Sequence, residues 1–391
     1  MKTTAMQNLV LPSLAAPART ANLRDLATLG LLAVLMTAGT ANAQIPVPVG
    51  SPSANVSVFV PGGLNNPRGL KFGPDGLLYV AEGGYPSGVI TPAPTDSFGN
   101  CTAGLTGPGQ YFGSTGGSRI SKIDTHGTVT TFVDNLPSSE ASGLASGVAD
   151  IAFIGNTMYG VLAGAGCSHG VPSIPNGVIR INADHTWTMI ADLGAYQRTH
   201  PVANPEDAVN GDFEPDGTWY SMISLRGDLY AVEPNHGEVV KVTTSGAISR
   251  VIDISAYYGH IVPTAITYHG NFYVGNLDQF GIPSGSSKVY KVTPKGQIKI
   301  DTNGFSVVTG VVFDSRARMY VLEASTDSEA LSTPGQIVRV DPSGRQTVIV
   351  TNLTTPTAIT MGPNGKLYVS NAGFGLPPDD LGQIVMVEIT D

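Results

Sequence analysis

Charge is scarce in this chain, and positive charge is scarcest. Only 13% of its 391 residues are charged, with 21 Lys and Arg against 30 Asp and Glu, a formal net charge of −9. No cluster of Lys and Arg occurs anywhere in it. That excludes the concentrated basic footprint that nucleic-acid binding requires, and with it electrostatic docking to an anionic membrane surface. Cysteine is nearly absent, with Cys101 and Cys167 alone. Two cysteines 66 positions apart cannot make a zinc site by themselves. The sequence contains neither His-Glu-x-x-His nor Gly-x-Ser-x-Gly, so zincin and α/β-hydrolase chemistry have no motif. Its seven His are scattered. No apolar run is long enough to span about 30 Å of hydrocarbon.

Residues 1–43 have the pattern of a signal peptide. Lys2, Arg19 and Arg24 form a basic start, 26–36 an apolar stretch, and Ala41-Asn42-Ala43 a small-x-small cleavage signal that puts the mature start at Gln44. Residues 1–43 hold those three basic residues and one acidic residue, Asp25. Without them the balance is 18 basic to 29 acidic, or −11. The expected location is extracellular or periplasmic. In that setting Cys101 and Cys167 are expected to form a disulfide.

Glycine and proline are abundant, with 48 Gly and 28 Pro. They punctuate a repeat. An apolar-Tyr-small unit recurs at Leu78-Tyr79-Val80, Met158-Tyr159-Gly160, Leu229-Tyr230-Ala231, Phe272-Tyr273-Val274, Met319-Tyr320-Val321 and Leu367-Tyr368-Val369. Five copies follow a Gly/Asn/Asp turn that suits a tight hairpin. A second hairpin follows each first one. Its leading strand carries Lys122, Arg180, Lys241, Lys291 or Arg339, with Met386 in the sixth copy. Two hairpins per period of about 40–50 residues make one four-stranded propeller blade. The expected architecture is all-β: a 44–54 linker, then a single six-bladed β-propeller over 55–391. The last blade lacks a strand at the C-terminus. Asn55-Val56-Ser57-Val58-Phe59-Val60 is expected to supply it and close the ring.

Asn66-Pro67-Arg68-Gly69-Leu70-Lys71-Phe72-Gly73-Pro74-Asp75-Gly76-Leu77-Leu78-Tyr79-Val80-Ala81-Glu82 and the copy over 356–371 resemble blades of NHL-type propellers. Their order, with the leader and the Gly-rich insertion ending Tyr111-Phe112-Gly113-Ser114-Thr115-Gly116, resembles the ScyD/ScyE family. The chain departs from that pattern where Phe112 is inserted. It departs again where Asp212-Phe213-Glu214-Pro215-Asp216-Gly217-Thr218-Trp219-Tyr220 replaces an Asp-Ser-Asn-Pro-Tyr-like run. The resemblance implies the fold and no particular chemistry.

The long connections 83–117, 163–176, 276–286, 324–334, 371–381 and 194–212 all fall on one face, the place to expect binding. Glu82, Glu233, Asn276, Glu323 and Asn371 end second strands. They are candidate ligands around the channel, with backbone capping as the other reading. Of these, Glu82, Asn276 and Asn371 together with Asp150 are the set a metal-dependent lactonase-like enzyme would need. Arg68 and Asp150 sit near the channel mouth. His200 and His260 sit between blades. Glu206, Asp207 and Asp212 belong to an acidic run that would suit Ca²⁺, or would be a solvated loop. The leading expectation is a non-catalytic module that binds a small molecule, glycan or protein at this face. The alternative is an enzyme at the channel mouth.

Overall fold

The computed structural model describes residues 45–94, 101, 110–205, 213–279, 281–327, 333–374 and 381–391. The leader 1–43 therefore lies outside the described residues. Residues 45–391 form one compact unit. They build a six-bladed β-propeller of four-stranded antiparallel blades.

Blade one runs Pro67–Phe72, Leu78–Glu82, Phe112–Ile123 and Val129–Ala141, from the channel outward. Blade two is Val148–Ile154, Thr157–Leu162, Gly177–Ile181 and Trp187–Asp192. Blade three is Ser221–Leu225, Asp228–Glu233, Glu238–Thr243 and Ile248–Asp253. Blade four is Pro263–Tyr268, Phe272–Asn276, Ser287–Val292 and Ile298–Phe305. Blade five is Val308–Phe313, Met319–Glu323, Gly335–Val340 and Gln346–Leu353. Blade six takes Ala358–Met361, Leu367–Asn371 and Gly382–Ile389 from the C-terminus. Its outer strand is Ala54–Leu64 from the N-terminal side. The ring thus closes with Val56 opposite Val387. Within the segment expected to be a linker, Val49–Gly50 adds a short fifth strand to blade five.

The repeat has a packing cause. Five of the six recurring tyrosines pair directly with the recurring basic position, Tyr79 with Lys122, Tyr159 with Arg180, Tyr230 with Lys241, Tyr273 with Lys291 and Tyr320 with Arg339, and Tyr368 pairs with Met386. The tyrosine rings join neighbouring blades. Tyr79 meets Phe153 of blade two at 5.4 Å, Tyr273 meets Phe313 of blade five at 4.7 Å, and Tyr368 meets Phe72 of blade one at 5.0 Å. Such ring contacts add to the area each ring buries. Turn chemistry tolerates exceptions. His185 replaces the glycine found at the outer turn of other blades and adopts φ 66°. Ala317 takes φ 59° at the one inner hairpin without a Gly/Asn/Asp signal.

Candidate functional site

Strand register defines the channel wall. The residues opposite the six tyrosines are Lys71, Ala152, Ile223, Thr267, Val312 and Thr360. Three residues earlier in each blade, towards the loop-rich face, lie Arg68, Ala149, Tyr220, Thr264, Thr309 and Thr357. Blades four to six repeat a threonine there. Its hydroxyl donates to a carbonyl at or just before the start of the next inner strand: Thr264 to Val308, Thr309 to Pro356 at 3.0 Å, and Thr357 to Pro67 at 2.6 Å. Blades one to three break the belt with Arg68, Ala149 and Tyr220.

Arg68 is buried, 8% exposed, and its guanidinium donates to the Ala145 carbonyl. It lies 4.1 Å from the centre of the Phe374 ring. The Tyr220 hydroxyl lies beside it and reaches across the channel to donate to the Thr357 carbonyl at 3.1 Å. Burial pushes the Tyr220 phenol up to about 12, against the pull of Arg68.

Below this tier Asp150 stands where other blades have Gly69, Ser221, Ala265, Gly310 and Ala358. It accepts from Lys71 Nζ at 3.0 Å, the Ile151 and Met222 amides at 2.8 Å, and Ser221 Oγ at 3.2 Å. It therefore ties blades one, two and three together. A methyl group on Gly69 would fall 1.9 Å from Asp150 Oδ1, so only glycine fits opposite it. A cavity of about 110 Å³ remains, lined by Lys71, Asp150, Thr267 and Thr360 among others.

The recurring Glu and Asn residues hold backbone. Glu82 accepts from the Asn65 amide at 2.6 Å, Glu233 from Thr218 at 2.7 Å, Glu323 from Ser306 at 2.6 Å and Asn371 from Thr354 at 2.8 Å. Asn276 accepts from the Lys288 amide at 2.6 Å and donates to the Ile261 carbonyl at 2.9 Å. Glu82 also takes Arg119 at 2.9 Å and Ser121. Burial raises its pKa despite Arg119. These side chains each anchor the connection entering or leaving their own blade. Among the described residues, no three His, Cys, Asp or Glu gather as a metal site.

A second feature occupies the same face between blades one and three. Cys101 and Cys167 form a disulfide with Cα atoms 5.1 Å apart. Beside it lies a cleft of about 400 Å³, lined by Cys101, Cys167, Pro175, Asp192, Arg198 and Asp216 together with Gly166 and Pro172. The helix Leu193–Thr199, capped by Asp192 through the Ala195 amide at 2.7 Å, presents Arg198. Arg198 pairs with Asp216 at 2.6 Å.

The cleft floor is a buried network that sequence reasoning missed. Asp216 accepts from the Ser168 amide and hydroxyl, both at 2.8 Å. Glu214 accepts from Tyr111 at 2.7 Å and lies 3.1 Å from His169 Nε2. Burial lowers the His169 pKa, but the Glu214 and Asp216 charges outweigh it and the net direction is up. The Ser168, His169, Glu214 succession resembles a hydrolytic triad in composition only. Ser168 and His169 are 0% exposed, and the serine hydroxyl is held by Asp216. The available signal was the run 213–217, which breaks the repeat.

Of the acidic run, Glu206, Asp207 and Asp212 lie outside the described residues. Glu214 and Asp216 are buried and engaged, not solvated. His200 ends the helix, exposed, stacked on Tyr196 at 4.2 Å. His260 is half-buried in the connection between blades three and four. Neither histidine lines the cleft or the channel cavity.

No protein-family model matches the chain, and no curated protein matches it. Solved structures do. A putative oxidoreductase described as a glucose dehydrogenase from Thermus thermophilus is 15% identical, over 86% of this chain and 100% of that one, with a TM-score of 0.52. A second glucose dehydrogenase is 12% identical, over 85% of this chain and 99% of that one, at 0.51. A protein of unknown function from Bacteroides thetaiotaomicron is 12% identical, over 88% of this chain and 77% of that one, at 0.51. Identity this low shows the propeller fold and nothing of activity.

Proposed function

We propose that the chain is an exported propeller of the ScyD/ScyE kind that binds a small polyhydroxy molecule or glycan, without catalysis, in the cleft beside Cys101–Cys167. The observation that carries this reading is the cleft itself. Its walls come from the blade-one insertion, the blade-two connection and the helix before blade three. A disulfide and a buried hydrogen-bonded floor pre-organise it, which lowers the ordering cost of binding. Pro172 and Pro175 offer apolar faces, and Arg198 and Asp192 offer polar ones. Glu206, Asp207 and Asp212 follow shortly after Arg198 in sequence, and an acidic run of that kind suits Ca²⁺ carried with the ligand.

A glycan array and a thermal-shift screen of sugars and lactones, each with and without Ca²⁺, test the reading. A ligand should lose about tenfold in affinity on Arg198→Ala, the scale of one charge-assisted hydrogen bond. Retention of affinity by every ligand found removes the cleft as the site. Hydrolysis of a lactone by the purified protein removes the non-catalytic reading. Export requires the secreted protein to begin at Gln44, which N-terminal sequencing decides.

A further inference from the structure

Arg68 differs from the other buried charges of the propeller. Asp150 has Lys71, Glu82 has Arg119, Asp216 has Arg198, Glu238 has Arg250, and Glu214 and Glu233 each have a histidine. The buried guanidinium of Arg339 has Asp341 and Asp391. Glu323 is held by an amide and Gln336, and burial raises its pKa, so it can shed its charge by taking a proton. A guanidinium has no such escape. Arg68 has no carboxylate partner among the described residues. Its neighbours are a carbonyl, the Phe374 ring and phenols. Burial pushes Tyr85 and Tyr220 up to about 12, so neither supplies a negative charge at neutral pH. The Lys71–Asp150 pair beneath is self-cancelling. Among the described residues the channel axis thus carries one net positive charge, inside a chain of net charge −9.

A buried guanidinium without a counter-charge is costly, and a hydrophobic or hydroxyl side chain of suitable size avoids the cost. Three other blades show that threonine serves the scaffold at this position. What threonine cannot offer is a planar fork of donors that matches a carboxylate.

We propose that Arg68 anchors a second binding site, at the channel mouth on the loop-rich face, for a small monocarboxylate with a planar apolar body. One net positive charge matches a monoanion, and among the described residues no second unpaired cation stands beside it to hold a dianion. Phe374, Tyr85 and Tyr220 are all partly exposed around the guanidinium, and their rings suit a flat apolar body. The site goes beyond the cleft reading and shares no lining residue with it.

The test uses benzoate as the probe, with benzamide as its neutral isostere and inorganic phosphate as an oxyanion without a ring. Calorimetric titration of the full mature protein should show benzoate binding at least tenfold tighter than either. The ¹⁵Nε resonance of Arg68 should shift on benzoate addition alone. Arg68→Gln should abolish the preference, and Arg68→Lys should weaken benzoate binding without restoring benzamide to parity. Arg198→Ala should leave benzoate binding unchanged, so failure here and failure of the cleft reading are separate results. Equal binding of benzoate and benzamide overturns the proposal, as does an unmoved Arg68 resonance. Tighter binding of phosphate than benzoate overturns the commitment to a carboxylate. Should Arg68→Gln not fold, the wild-type comparison and the resonance still decide.

Discussion

Removing the disulfide should lower the stability of the whole ring, and the size of the effect follows from chain geometry. The bond closes a loop of 66 residues between blades one and two. Opening it frees the unfolded chain, and the loop-entropy relation gives roughly 4 kcal/mol at 25 °C. The unit that melts spans 45–391, about 350 residues. At about 2.1 cal/mol/K per residue its unfolding entropy is roughly 0.7 kcal/mol/K, so the melting temperature should fall by roughly 6 °C. Calorimetry on oxidised protein, on dithiothreitol-reduced protein and on Cys101→Ser/Cys167→Ser measures it. Both cysteines are half-buried, so reductant has access. Reduction and substitution should agree. A fall of less than about 1 °C in both would falsify the entropic reasoning. A fall in the substituted protein alone would mean lost packing around the sulfurs.

Ring closure is tested by Leu64→Ala against Val58→Ala, both on the N-terminal strand of blade six. Leu64 is 0% exposed and should cost about 2–5 kcal/mol, whereas Val58 at 39% should change stability by less than about 0.5 kcal/mol; equal urea midpoints would contradict the packing. Asp150→Ala strands Lys71 and two amides of different blades and should cost about 3–5 kcal/mol by urea unfolding. An unchanged midpoint would show that the three-blade tie contributes nothing. The pH dependence follows from His169 and His236. Burial lowers both, but Glu214 and Glu233 respectively override it and raise them, so the folded state binds their protons more tightly than the unfolded state does. Their stabilisation is complete below about pH 6.5 and is lost as pH rises through the folded values. The melting temperature should therefore decline on the alkaline side of about pH 6.5, and His236→Gln should flatten the decline. A wild-type melting temperature that rises between about pH 6.5 and 8.5 contradicts the sign.

The blade count and ring closure were legible because each rests on local pattern, and the disulfide because the chain has only two cysteines and its first 43 residues read as an export signal. Tyr opposite Lys or Arg is a pairing that repeats, and period-two alternation sets which face each residue takes. Glu82, Asn276 and Asn371 were visible as recurring residues, but whether they faced a ligand or a backbone amide depended on where the connection into or out of each blade runs. Asn371 answers to Thr354, and Glu82 to Asn65, each seventeen positions away. The buried floor of the cleft was the least legible. Tyr111 and Glu214 meet across 103 positions, and nothing in either neighbourhood announces the other. Charge density around 206–216 suggested solvated acids. Glu214 and Asp216 are instead buried, because Tyr111, Ser168, His169 and Arg198 converge on them from other elements.

Repetition separates scaffold from site, and Arg68 offers a direct trial of that separation. In blades four to six the equivalent threonine links each inner strand to the next. If the first blade were built by the same rule, residue 68 would be threonine, donating to the Val148 carbonyl. Arg68→Thr restores the rule. It removes a buried guanidinium and its donation to Ala145, and it supplies the hydroxyl that the fold uses elsewhere. A residue retained for stability should be missed, with a loss of about 2 kcal/mol or more from the stranded carbonyl and the vacated volume. A residue retained to meet a ligand should not be missed, since removing an uncompensated buried charge relieves its desolvation. The expected outcome is a melting temperature equal to or above that of the native chain, together with loss of benzoate binding. A marked drop in stability would assign Arg68 to the scaffold, and the break in the belt at blade one would then be a packing solution and not a binding one.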